Sequence, residues 1–149
     1  MYPDAPYIAR NGEVNAWDNE AFREAVRATN RTQFIISGIV TDVCTSFLAQ
    51  SLRAEGYSVW ANIEASGTVS QLLRESANDI MINAGVHLYG LFAIVSELMR
   101  HWGHTPGSAE VKPYLDRYFP AAGLLFRSHG AAVTNGTLLP GQEGLIIID

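Results

Sequence analysis

The chain has a single cysteine, Cys44, and it closes the heptapeptide Gly38-Ile39-Val40-Thr41-Asp42-Val43-Cys44. An apolar run, Phe34-Ile35-Ile36-Ser37, precedes the heptapeptide, and a stretch with apolar residues at helical spacing, Thr45 to Glu55, follows it. A strand that turns and delivers one sulfur to the mouth of a helix is suited to nucleophilic chemistry. The first turn of a helix presents unpaired N–H groups and a partial positive charge, and both favour thiolate over thiol. The thiolate is the nucleophile. A lone cysteine is more often a small buried apolar residue, but the strand–turn–helix setting argues for a reactive one. Asp42, two residues before the sulfur, reads as a solvated turn residue or helix cap rather than its base. His101 and His104 have a spacing that two metal ligands on a helix can use. No third ligand is near in sequence and Gly103 interrupts the helix, so no metal is expected. No cofactor is expected either, since Gly85 and Gly90 show no phosphate-loop pattern.

The elements that must position Cys44 follow from periodicity and punctuation. Asp18 reads as the cap of a helix running to about Thr29, with Ala21, Phe22, Ala25 and Val26 on one face. Phe34 to Ile39 has no alternation and predicts a strand buried on both faces. The helix Thr45 to Glu55 stops at Gly56. Tyr57 to Ile63 is the next strand, Ala65 to Thr68 a turn, Val69 to Asn83 a helix, Val86 to Leu88 a short strand, and Leu91 to His101 another helix. Strands alternating with helices over short links imply a parallel sheet with right-handed crossovers. In such sheets chemistry sits beyond the carboxyl ends of the strands, where Gly38 to Cys44 lies. Beyond Trp102 the character changes. Gly103 to Ser108 reads as linker and Glu110 to Tyr118 as a short helix. Pro120 to Asp149 reads as a tail of small residues and turns, with one further strand at Gly144 to Asp149.

The bulk properties narrow the class. The 149 residues, 48% hydrophobic and 17% charged, are enough for one globular core. A net charge of −5 leaves no basic face for nucleic acid. One cysteine cannot form an internal disulfide, no basic-then-apolar leader opens the chain, and no apolar run has the length of a membrane span. A cytoplasmic protein with no membrane partner is expected.

The heptapeptide resembles the nucleophile motif of the isochorismatase-like cysteine hydrolases. Pro6 to Arg10 and Asn15 to Asn19 are similar to the YcaC-like branch of that family. Glu64 to Thr68 and Ala84 to Trp102 continue the likeness, so that it covers roughly residues 2–103. The resemblance implies an α/β fold, with a parallel sheet and helices on both faces in a Rossmann-type three-layer arrangement. It also implies hydrolysis of a small amide or related C–N substrate through a thioester. Carried over by position, Cys44 is the nucleophile and Arg10 stands where most of the family has lysine. A non-proline cis peptide is implied at Val40–Thr41, with the Thr41 and Cys44 N–H groups forming an oxyanion hole. The family's aspartate lies at the end of a first strand whose counterpart would precede Met1, so the fold is expected to be truncated at the N-terminus. Residues 1–103 would then be a partial hydrolase core and 104–149 a tail for packing or subunit contact. Leu145 to Asp149, an apolar run ending in an acid, has the shape of that missing strand and makes Asp149 a candidate third member of the triad. The expected partners are a small-molecule substrate and further copies of the chain. Two alternatives stay open: an inactive, truncated homologue acting as an oligomerising structural protein, and a redox-responsive thiol.

Overall fold

The computed structural model describes residues 3–102 and 107–141. The chain forms two compact units, Met1–Leu91 and Phe92–Asp149. The expected strand at 144–149, Asp149 with it, and His104 lie outside the described residues.

The first unit alternates helix and strand. A 3-10 turn, Ala16–Asp18, leads into α1, Glu20–Ala28. The cap of α1 is Asn19 rather than Asp18, because the Asn19 side chain accepts the N–H of Phe22 at 2.9 Å. Strand β1, Gln33–Ile36, is followed by a π-helical turn, Thr41–Thr45, and then by α2, Ser46–Ala54. Strand β2, Ser58–Asn62, helix α3, Gln71–Asn83, and strand β3, His87–Tyr89, complete the unit. Ser70 caps α3 through the N–H of Leu73.

The three described strands are parallel, in the order β1-β2-β3, with Gln33 opposite Ser58 and Trp60 opposite His87. Central β2 buries Val59 and Ala61. Beneath it, Trp17, Ala49, Leu52, Met81 and Val86 pack into the core. The expectation that Phe34 to Ile39 is one strand buried on both faces does not hold. The strand ends at Ile36, and Ile35 is 51% exposed, because β1 is an edge of the described sheet and nothing described covers that side.

The second unit is helical: it holds α4, Leu91–Met99, from Phe92 onward, then α5, Ser108–Tyr118, and α6, Pro120–Thr134. Trp102 packs against Phe92 and Phe126, with ring centroids 6.2 and 5.1 Å apart. Helix α6 replaces the expected run of turns. Pro120 takes the first helical position, where a missing N–H costs nothing. Gly123, which looks like a breaker, is there because a Cβ would stand 2.6 Å from the Cα of Asp116 on α5.

Candidate active site

Cys44 lies just ahead of α2, at the strand-to-helix junction that the sequence suggests. It is inside the wide turn Thr41–Thr45, which runs without a break into the helix. The turn is set by the Thr45 N–H donating to the Val40 carbonyl at 3.2 Å, a five-residue spacing. Such single wide turns recur at functional sites. The Cys44 thiol is half-buried and donates to the same carbonyl at 3.5 Å. Burial pushes the thiol up. The main chain at Val40, Ile39 and Thr45, together with the Thr45 hydroxyl, outweighs burial, and the net direction is down from the ordinary thiol value. Polar groups converging on one sulfur favour its thiolate form.

The loop that carries the sulfur is clamped by a second loop, which follows β2. The Gly67 carbonyl accepts from the Thr41 N–H at 2.8 Å and from the Thr41 hydroxyl at 3.1 Å. The Gly67 N–H donates to the Ile39 carbonyl at 3.0 Å. The Ser66 hydroxyl accepts from the Gly38 N–H at 2.9 Å and lies 3.2 Å from the Thr45 hydroxyl. The glycine at 38 is required by this packing, because a Cβ there would meet the Thr45 hydroxyl at 2.5 Å and the Cys44 sulfur at 3.4 Å. The segment Ala65 to Thr68 reads from sequence as a turn. Its role in holding the thiol loop has no local signal, since the partners are more than twenty residues away.

Thr41 is buried, and its N–H is given to Gly67. That amide ties the thiol loop to the loop after β2. Asp42 lies half-exposed inside the turn, whose cap position is Val40, and one of its carboxylate oxygens is buried with no hydrogen-bond partner among the described residues.

Arg10 and Cys44 are brought to one cleft of about 470 Å³. Its wall is mostly apolar, with Ile8, Phe22, Ile35, Ile39 and Leu48 contributing, and Ser37 and Thr45 add hydroxyls. No carboxylate and no histidine belongs to that wall as described. The Arg10 guanidinium is exposed and tethered to its own loop, donating to the Glu13 carbonyl at 2.8 Å. The Glu13 carboxylate faces elsewhere. It accepts from the Asn11 N–H at 2.7 Å and from the Asn19 amide at 3.1 Å, and hydrogen bonding, chiefly to main-chain groups, holds it below the usual carboxylate range. Among the described residues no group of three or more His, Cys, Asp or Glu side chains could hold a metal ion.

The isochorismatase domain matches residues 1–90. The chain is 48% identical over 102 residues to Probable hydrolase YcaC of Escherichia coli (strain K12), a match spanning 68% of this chain and 49% of that relative. Among solved structures it is similar to YcaC from Pseudomonas aeruginosa with hexane-2,5-diol and covalent acrylamide. That match has 43% identity and a TM-score of 0.77, over 86% of this chain and 62% of the other. It is similar also to the E. coli YcaC gene product, described as an octameric hydrolase of unknown specificity. Here the identity is 43% and the TM-score 0.79, over 87% of this chain and 62% of the other. The chain thus spans about half the length of the curated relative it matches.

Proposed function

The chain belongs to the isochorismatase family, and from that premise we propose that it is a cysteine-dependent hydrolase of a small amide or related C–N substrate. The observation that carries the proposal is a lone thiol, lowered in pKa by the main chain around it, sharing an apolar-walled cleft with one guanidinium. In this mechanism the Cys44 thiolate attacks the amide carbonyl carbon, and the electron pair moves to oxygen. The tetrahedral intermediate then expels the nitrogen with a proton, leaving a thioester on Cys44. Water adds to the thioester, the thiolate departs, and an acid is released. The balance is amide plus water giving acid plus ammonia or amine.

Of the two amides expected to hold the oxyanion, that of Thr41 is bonded to Gly67, which leaves the Cys44 N–H for the role. Val40 is the second donor proposed, because its main chain lies at the sulfur and its N–H has no acceptor among the described residues. Arg10 stabilises negative charge but shuttles no proton, because a guanidinium stays charged. A carboxylate from beyond the described cleft wall must carry the proton, and within this chain Asp149 is the candidate. We propose further that the chain assembles with copies of itself, as the octameric E. coli YcaC does.

Acrylamide is a convenient probe, because the P. aeruginosa YcaC structure contains it covalently bound. Intact-mass measurement should show one acrylamide adduct on this chain and none on Cys44→Ala. Ammonia release from a panel of small amides should fall by about a thousandfold or more in Cys44→Ala, and it should fall in Asp149→Asn if that carboxylate serves. Hydrolysis that survives the loss of Cys44 would end the proposal.

A further inference from the structure

Among the described residues Arg10 is the one charged side chain in the wall of the cleft that holds Cys44. No ion pair to it occurs among the described residues. One of its terminal nitrogens is fixed by the Glu13 carbonyl at 2.8 Å, with the Val14 carbonyl at 3.5 Å. The other terminal nitrogen and Nε have no acceptor among the described residues. The nearest acid in sequence, Glu13, spends both carboxylate oxygens on Asn11 and Asn19. Among the described residues the cleft thus offers a tethered planar cation with no opposing charge, beside an apolar surface formed by Pro6, Ile8, Phe22, Ile35 and Leu48. A planar fork of donors matches a carboxylate, which accepts two parallel hydrogen bonds. An apolar wall favours a hydrocarbon body.

We infer that the ligand of this cleft is an amide that also carries a carboxylate, which is held by the Arg10 guanidinium while the amide faces Cys44. The inference rests on the cleft being the substrate site proposed above, and it names the class of compound. Cationic amides are excluded by the same charge, and neutral ones lose the paired hydrogen bonds.

Calorimetric titration of the full chain carrying Cys44→Ser, which blocks turnover, tests this directly. The ligands are the monoamides of succinic, glutaric and adipic acids and the diamides of the same lengths. At the best length the monoamide, which keeps one carboxylate, should bind about tenfold more tightly than its diamide. Arg10→Gln should erase the difference. Arg10→Lys should retain part of it, keeping charge without the fork. Should Arg10→Gln not fold, added salt serves in the Cys44→Ser chain, weakening the monoamide and leaving the diamide unchanged. Equal affinities, no binding of either class, or a preference that survives Arg10→Gln would overturn the inference. Because binding is read without turnover, an unreactive Cys44 would sink the hydrolase proposal and leave this one standing.

Discussion

At the scale of single residues, the chemistry depends on what surrounds one sulfur. Burial alone would raise the Cys44 thiol, and the main chain of the wide turn reverses the sign. The folded thiol therefore gives up its proton at lower pH than the same thiol in the unfolded chain. Its contribution to stability is present in full above the unfolded pKa and is lost as pH falls through the folded one. Alkylation of Cys44 by iodoacetamide should rise with pH at a midpoint below that of the chain unfolded in urea. Urea resistance should increase across the interval between the two midpoints. A folded midpoint equal to or above the unfolded one would show that burial wins and that the sulfur is a packing residue. Cys44 is legible in sequence because it is unique and flanked by a recognisable pattern. The commitment of the Thr41 N–H to Gly67 is not legible, because its partner lies in the loop after β2.

At the scale of elements, two loops form one device. Ser66 and Gly67 tie the segment from Gly38 to Thr45 down from the neighbouring crossover. Ser66→Ala removes the acceptor of the Gly38 N–H and the partner of the Thr45 hydroxyl. It should cost about 1–3 kcal/mol of stability and slow alkylation of Cys44, as measured by chemical unfolding and labelling rates on the same sample. A stable Ser66→Ala protein with unchanged labelling would show that the turn holds itself. A similar reach appears at β2, where Glu64, just beyond the strand, accepts the N–H of Leu91 at 2.5 Å and so caps α4. Helices α1 to α4 and the parallel strands follow from apolar spacing and caps. Helix α6 was hidden by Gly123 and Gly130, residues that usually lower helix propensity, although the first is demanded by close approach to α5.

At the scale of the molecule, apolar surface remains in both units. Ile39 is 85% exposed beside the cleft, and Leu98, Leu124 and Leu125 are exposed in the helical unit. Strand β1 is an unpaired edge among the described residues, and unpaired edges promote association. Light scattering after size exclusion should therefore give a mass above the 16.3 kDa of one chain. Leu124→Glu should shift the distribution toward the single chain with helical content retained. A monodisperse single chain at every concentration would refute association.

The spacing of residues was enough for the order of helices and strands as far as α5, for the parallel sense of the sheet and for the place of a lone thiol beyond a strand end. Periodicity, caps and turn residues are local and can be read one segment at a time. Tertiary contacts alone established that β1 is a half-exposed edge of the described sheet, that the thiol lies within a wide turn held by Ser66 and Gly67, and that Arg10 reaches the same cleft. These depend on contacts across tens of residues, and the pairing of distant segments leaves no mark in the spacing of neighbours.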